Sequence, residues 1–343
     1  MKARYHKHTL FFKNPSGTSR GILTEKETYF LILEADGRKG VGECSLLKGL
    51  SPDPLDRYEA TLDHLCNALM THTFTPASLV EFPSIAMGLE MARLSLKGTS
   101  PFGLFDTSFS RGDSSLPING LIWMGEFEFM KAQIESRLAD GFDCIKMKIG
   151  ALEFRKELRL LDQIRQIFSA EEVVLRVDAN GAFGVKEAMK KLTELAVFDL
   201  HSIEQPIAAG QVEAMHYLCQ NSPIPIALDE ELIGIQNRTS KERILDAIAP
   251  HYIILKPSLL GGFQESQEWI DLAEQRGIGW WITSALESNV GLNAIAQWTA
   301  TLGITLPQGL GTGGLYTNNI PSPLVAEKGY LRYADQQLWQ FNM

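Results

Sequence analysis

Beyond residue 117 the chain alternates short apolar segments with longer segments whose apolar residues recur at helical spacing. A short apolar run bounded by turn residues is typical of a buried strand, and apolar positions three and four residues apart are typical of a helix. The pattern predicts eight strands, at residues 118–123, 145–149, 173–178, 202–204, 226–229, 252–256, 280–284 and 303–307. Eight strand-and-helix repeats predict an α/β protein of the TIM-type (β/α) barrel class.

The first hundred residues follow a different pattern. Alternating apolar positions predict strands at residues 5–12, 28–33 and 40–44, and helical spacing predicts helices at 53–72 and 81–97. A sheet followed by helices indicates an α+β domain. We therefore predict three parts: an α+β domain at residues 1–112, the barrel at 113–318 with the functional site, and a C-terminal tail at 319–343 that packs back on the first domain.

Composition narrows the class of protein. The chain has 343 residues, 45% of them hydrophobic, a net charge of −9, and four cysteines without a Cys-x-x-Cys pair. Such cysteines indicate neither a zinc ribbon nor a disulfide framework, and the acidic balance argues against a nucleic-acid partner. No apolar stretch resembles a signal peptide or a membrane span. We expect a cytoplasmic protein that binds a small molecule, without membrane insertion, and nothing in the sequence supports a particular oligomer.

Charged residues stand where the predicted barrel strands end. In a strand, Lys146 and Lys148 point to the same face because side chains alternate. The next four apolar runs each end in a charged residue, at intervals of 26, 25 and 27 residues: Asp178, Glu204, Asp229 and Lys256. That interval is one strand-and-helix unit, and a closed barrel gathers the C-terminal ends of its strands around one mouth. We therefore expect these charged groups to converge.

Three converging carboxylates would repel one another in a cavity of low dielectric constant. They can lie apart, take up protons or bind a cation, and each acid alone could also cap the following helix. Three successive acids matched by lysines on neighbouring strands favour the cation. Oxygen ligands select a hard ion, which predicts magnesium, with manganese as a substitute, at Asp178, Glu204 and Asp229.

The lysines indicate acid–base chemistry. Lys146, Lys148 and a divalent cation are like charges in one cavity, which disfavours the ammonium form of at least one lysine. That lysine can serve as a base, and Lys256 across the mouth can supply a second proton-transfer group or a fixed positive charge. A substrate carboxylate held on the metal would have an acidified α-proton. The predicted chemistry is proton abstraction next to a carboxylate.

This set of motifs resembles the enolase superfamily, muconate-cycloisomerase subgroup. The resemblance rests on Lys146-x-Lys148, Asp178 in Arg-Val-Asp-Ala-Asn-Gly, Glu204 in Ile-Glu-Gln-Pro, Asp229-Glu230 and Lys256-Pro257. It implies that the three acids bind Mg²⁺, that Lys148 is the base and that Lys256 is its counterpart across the site. It also implies that the N-terminal domain caps the barrel and lends a loop to the substrate.

Within the subgroup, residues 18–21, 284–288 and 309–313 resemble o-succinylbenzoate synthases of menaquinone biosynthesis. This resemblance implies Mg-dependent syn-dehydration of 2-succinyl-6-hydroxy-2,4-cyclohexadiene-1-carboxylate. We predict that Arg20 or Arg176 pairs with a second substrate carboxylate, because Arg176 lies two residues before Asp178 and should face the barrel interior. The other predicted substrate contacts are Ser19, Ser284, Gly311 and Thr312.

Departures from related enzymes limit the alternatives. Strands six and seven lack the His-Asp dyad of mandelate-racemase relatives, and Gly311-Thr312-Gly313 replaces the Asp-x-Asp with which dipeptide epimerases hold an ammonium group. The glycines instead expose backbone N–H groups that can hold a carboxylate. An N-acylamino-acid racemase or a muconate-type cycloisomerase could use the same lysines and metal. A third hypothesis is an inactive barrel retained as a ligand-binding protein.

Overall fold

The computed structural model describes residues 1–18, 21–334 and 337–342. Its strands are β1 (Lys2–Thr18), β2 (Gly21–Ala35), β3 (Arg38–Ser45), β4 (Leu116–Pro117), β5 (Gly120–Ile122), β6 (Cys144–Lys148), β7 (Val174–Asp178), β8 (Ser202–Glu204), β9 (Ile226–Leu228), β10 (Tyr252–Leu255), β11 (Gly279–Ile282), β12 (Leu324–Glu327) and β13 (Tyr330–Tyr333).

The α-helices are α1 (Tyr58–Thr71), α2 (Pro83–Lys97), α3 (Phe127–Ala139), α4 (Phe154–Arg165), α5 (Val185–Leu195), α6 (Val212–Asn221), α7 (Arg238–Ile248), α8 (Pro257–Leu260), α9 (Phe263–Glu274) and α10 (Asn289–Thr301). Short 3₁₀ turns occur at Leu55–Arg57, Pro76–Leu79, Ala196–Phe198 and Glu230–Leu232.

Strands β1, β2 and β3 form an antiparallel sheet that packs against α1 and α2, and these five elements are called the N-terminal unit below. The predicted strand at 5–12 was too short, because β1 continues to Thr18 past a register shift between Phe11 and Ser16. The sheet and α2 approach closely through glycines: a Cβ on Gly42 would lie 1.9 Å from the carbonyl oxygen of Gly88. The backbones of β3 and α2 are therefore almost in direct contact.

Strands β5 to β11 form a parallel sheet in sequential order, and α3 to α10 follow its strands. The eighth position closes the barrel. There Gln308 bridges Ile118 and Gly309 bridges Thr283, both in parallel orientation. The predicted barrel is thus confirmed, but the predicted strand at 303–307 was wrong in position. Gly303 has a left-handed φ of 64°, and Pro307 has no N–H to donate, so pairing begins only after them.

The C-terminal residues contact both parts of the molecule. Strands β12 and β13 form a hairpin whose second strand pairs with β4. Trp339 stacks on Phe102 with ring centroids 4.0 Å apart, and Phe341 packs edge-on against Phe30 of β2. The division at residues 112 and 318 itself stays a prediction. Within the described ranges, the helices are too short or too polar to cross a membrane.

The close contact of β3 with α2 generates a stability prediction. We expect Gly42→Ala to lower the free energy of unfolding by about 3 kcal/mol, because the methyl group would force the two backbones apart. Gly314→Ala is the control, since nothing lies within 4 Å of a Cβ at that position. Urea denaturation followed by circular dichroism measures both. Equal transition midpoints for the two variants would contradict the close contact.

Candidate active site

The strand register sets the charged residues side by side at the barrel mouth. Lys148 of β6 is the register partner of Asp178 of β7, and Asp178 is in turn the partner of Glu204 of β8. Asp229 directly follows β9 and Lys256 directly follows β10. The structure therefore brings together the charged residues that the spacing predicted would converge.

Lysines bridge the acids. The Lys146 ammonium lies 2.9 Å from Asp178 Oδ2 and 2.5 Å from Glu204 Oε2, and Lys256 donates a hydrogen bond to Asp229. The three carboxylates and Lys146 are buried. Charges removed from water are screened weakly, so each of these groups strongly affects the pKa values of its neighbours.

The pKa values reflect this mutual influence. Burial alone would lower the pKa of Lys146, but the attraction of Asp178 and Glu204 raises it above its usual range. Burial would likewise raise the pKa of Asp178, but Lys146, Lys148 and Lys256 together hold it well below its usual range. Lys146 is therefore a fixed cation and Asp178 a fixed anion at neutral pH.

The positive charge near Glu204 is too small to offset the burial of its carboxylate. Burial and the repulsion of Asp178 raise its pKa to about 8. Among the described residues, its Oε1 atom is buried without a hydrogen-bond partner. No three acidic, histidine or cysteine side chains of the described residues are grouped so as to hold a metal by themselves. Lys146 contacts both Asp178 and Glu204. The orphaned oxygen and the all-carboxylate donor set nevertheless fit a hard divalent cation.

Lys148 is held by a neighbour that the sequence did not single out. Its ammonium donates to Asn180 Oδ1 at 2.8 Å and lies 3.4 Å from Asp178 Oδ2. Asn180 has a left-handed φ of 44° and donates through Nδ2 to Glu230 Oε1. An asparagine tolerates this conformation better than most residues. The position of Asn180 in the motif Asp-Ala-Asn-Gly, two residues after Asp178, was the sequence signal that could have predicted its contact with Lys148.

A cavity of about 120 Å³ opens above these groups. Lys146, Lys148 and Lys256 line it from the barrel side. Its remaining wall is largely apolar and comes from both parts of the molecule: Leu23, Leu47, Lys48 and Leu50 of the N-terminal unit and its following loop, and Leu121, Trp123 and Leu286 of the barrel. The three lysines thus face a cavity whose other walls are mostly apolar.

The predicted substrate contacts divide into three groups. Ser284, Gly311 and Thr312 line the cavity. Arg176 does not: its guanidinium stacks on Trp281 with 4.1 Å to the ring centroid and donates to Pro307 O. Strand alternation puts Arg176 one layer below Asp178, deep in the barrel, so the geometry does not support Arg176 as the partner of a substrate carboxylate. The alternative partner, Arg20, stays a prediction. Ser19 and Arg20 lie outside the described residues.

Comparison with known proteins identifies the class. Residues 129–337 match the model of the family described as "Enolase C-terminal domain-like". The muconate lactonizing enzyme of Pseudomonas fluorescens shares the fold, with a TM-score of 0.82 over 99% of this chain and 96% of that chain at 22% identity. The chain therefore belongs to the enolase superfamily, whose members use a divalent metal ion.

Two further comparisons identify the group within the superfamily. The o-succinylbenzoate synthase of Desulfotalea psychrophila is 48% identical over 96% of this chain and 98% of its own length. The crystal structure of MenC from Desulfotalea psychrophila LSv54 has a TM-score of 0.86 and 46% identity, covering 97% of this chain and 99% of that chain. Within the superfamily, the chain belongs to the o-succinylbenzoate synthase family.

The bridging role of Lys146 generates a second prediction. We expect Lys146→Met to lower the free energy of unfolding in excess chelator by about 3–5 kcal/mol, because two buried carboxylates lose their partner. Lys190→Met is the control, since Lys190 pairs with Glu194 on an exposed helix surface and should change stability by less than about 0.5 kcal/mol. Urea titration measures both. Equal stability of the two variants would contradict the bridging role.

Proposed function

We propose that this protein is an o-succinylbenzoate synthase. It removes water from 2-succinyl-6-hydroxy-2,4-cyclohexadiene-1-carboxylate, producing o-succinylbenzoate for menaquinone biosynthesis. The observation that carries the proposal is the 48% identity to an o-succinylbenzoate synthase over nearly the whole of both chains. Turnover of the cyclohexadiene, followed as the loss of its diene absorbance, is the direct test. The cytoplasmic location and the absence of a nucleic-acid partner stay predictions.

The lysines supply the proton transfers. We assign the base to Lys148, which lines the cavity and is oriented by Asn180. It takes the ring proton next to the substrate carboxylate, and the electron pair moves onto the carboxylate oxygens as an enediolate. The C–O bond to the neighbouring hydroxyl then breaks, and the Lys148 ammonium returns its proton to form water. One base that acts twice on the same face explains syn elimination, and the aromatic ring formed drives the reaction.

Lys256 acts from the opposite side. It directly follows the sixth strand of the barrel, and Lys148 ends the second, so the two face each other across the mouth. Its ammonium, paired with Asp229, stabilises the negative charge of the enediolate without transferring a proton. A racemase would instead need Lys256 as a second proton-transfer group. This difference separates the proposed reaction from the N-acylamino-acid racemase alternative.

Three carboxylates complete the site. We propose that Asp178, Glu204 and Asp229 hold Mg²⁺, or Mn²⁺ in its place, with Glu204 Oε1 as an available donor atom. The bound ion would supply positive charge that acidifies the substrate's α-proton. We expect Gly311, Ser284 and Thr312, which line the cavity, to contact the remainder of the substrate.

The metal assignment predicts a linked loss of activity and stability. Excess EDTA should abolish turnover, and saturating Mg²⁺ should restore it and raise the melting temperature by about 5 °C, because a ligand bound only by the folded state stabilises that state. Asp178→Asn should lose both responses. Asp246→Asn, at an exposed ion pair with Arg276, should keep them. Full turnover in EDTA would reject the metal site.

The two lysine roles predict different losses. Lys148→Ala should abolish dehydration, whereas Lys256→Ala should lower its rate by about 10²–10³-fold, as for loss of one preorganised charge-stabilising donor. Lys256→Arg should recover part of that loss, since it retains the charge. Steady-state kinetics on the cyclohexadiene measures all three. A wild-type enzyme inert towards the diene that exchanges the α-proton of both enantiomers of an N-acylamino acid would favour the racemase instead.

A further inference from the structure

Glu43 joins the N-terminal unit to the barrel. It lies near the end of β3, is completely buried, and reaches the first turn of the barrel helix α10. Its Oε1 atom accepts the Ser288 N–H at 2.8 Å and the Thr28 hydroxyl at 2.8 Å, while Oε2 accepts the Gly291 N–H at 2.8 Å and the Ser288 hydroxyl. Three donors from the start of α10 and one from β2 thus surround this carboxylate.

The start of α10 depends on this carboxylate. The first N–H groups of a helix have no partner within the helix, and its N-terminal end carries a partial positive charge. Gly291 permits the approach, since a Cβ there would lie 2.9 Å from Glu43 Oε2. Burying these N–H groups without an acceptor would cost free energy. Glu43 therefore connects the start of α10 to the N-terminal unit.

The residue just before the N-cap Ser288 connects this helix start to the substrate cavity. Glu287 is completely buried and accepts the hydroxyl of Ser258 at 2.6 Å and that of Ser284 at 2.7 Å. Ser284 in turn accepts the hydroxyl of Thr312 at 2.8 Å. Ser258, Ser284 and Thr312 belong to the segments after the sixth, seventh and eighth barrel strands. A shift of the α10 start would therefore move two hydroxyls of the cavity wall.

Glu90 offers a matched comparison within the same molecule. This residue of α2 also reaches from the N-terminal unit to a barrel helix, where it accepts the N–H groups of Phe263 at 2.7 Å and Gln264 at 3.2 Å at the start of α9. Neither of these partners lines the substrate cavity. Both glutamates thus accept N–H groups at the start of a barrel helix. Only the helix that Glu43 contacts is connected to hydroxyls of the cavity wall.

We propose that Glu43 is a positioning residue for substrate binding: by holding the start of α10, it sets Glu287 and, through it, the cavity hydroxyls of Ser284 and Thr312. Glu43 itself does not contact the substrate. The inference rests on the proposed function, because the ligand of the cavity is taken to be the cyclohexadiene or its product. It adds a residue of the N-terminal unit to the determinants of affinity.

Glu43→Gln and Glu90→Gln test the proposal side by side. In each variant an amide NH₂ group replaces one carboxylate oxygen, and this group cannot accept a hydrogen bond from a helix N–H. Glu43→Gln should raise the KM for the cyclohexadiene and the Kd for o-succinylbenzoate about tenfold, with kcat changed less than threefold. Glu90→Gln should lower the melting temperature and leave KM and Kd unchanged. The Kd is measured from the fluorescence of Trp123, which lines the cavity, with Trp123→Phe identifying its contribution.

A double-mutant cycle tests the route to the cavity. Thr312→Val removes the hydroxyl while nearly preserving the side-chain shape. Its effect on the Kd for o-succinylbenzoate should be smaller in the Glu43→Gln background than in wild type, because the hydroxyl is already displaced. In the Glu90→Gln background its effect should equal that in wild type. Additive effects in both backgrounds would overturn the proposal.

Two measurements distinguish a failure of the proposed role of Glu43 from a failure of the proposed function. Thr28→Val removes one donor to Glu43 and should raise the same Kd about threefold, so the test stands even if Glu43→Gln does not fold. Wild-type turnover of the cyclohexadiene is measured first. An inert wild-type enzyme would reject the proposed function. An active one, with Kd unchanged in Thr28→Val or equal in Glu43→Gln and Glu90→Gln, would reject the role of Glu43 alone.

Discussion

The structure at the centre of this molecule depends on the balance between buried carboxylates and the lysine ammonium groups beside them. Asp178, Glu204 and Asp229 are all removed from water, and an unpaired carboxylate in such a place would cost several kcal/mol. Lys146 and Lys256 neutralise part of that charge, whereas burial and the repulsion of Asp178 still raise the pKa of Glu204. The negative charge that remains would attract a divalent cation to the three carboxylates.

The barrel register explains why so much could be predicted. In this barrel each parallel strand is followed by a helix of similar length, so residues at equal sequence spacing lie at the same level of the barrel. Asp178, Glu204 and Asp229 were therefore predictable as neighbours. The eighth strand was misplaced, because its pairing is limited to Gln308 and Gly309 and has no apolar run to mark it. Alternation indicated the side of β7 on which Arg176 lies, but it could not indicate the depth of Arg176 within the lumen, below the cavity.

Contacts between distant segments escaped prediction for a different reason. Glu43 meets Ser288 across 245 residues of sequence, and no spacing or periodicity connects them. Glu287 also resembles any surface glutamate near a helix start until the surrounding hydroxyls of Ser258 and Ser284 are seen. The chemistry of the site thus follows from repeating units, whereas the fit of the N-terminal unit on the barrel depends on single contacts that the fold alone brings together.

The closure of the barrel has a consequence for biosynthesis on the ribosome. Ile118 pairs with Gln308, and Phe341 packs on Phe30, so neither contact can form until nearly the whole chain has been translated. At about 5–20 residues per second, Ile118 waits roughly 10–40 seconds until Gln308 has been made. During that interval an unfinished sheet exposes two open edges, which are sites of misassociation between nascent chains. A ribosomal pause after the first barrel strands and before residue 308 would prolong this vulnerable state. A pause directly after α2, before any barrel strand is made, would not create it.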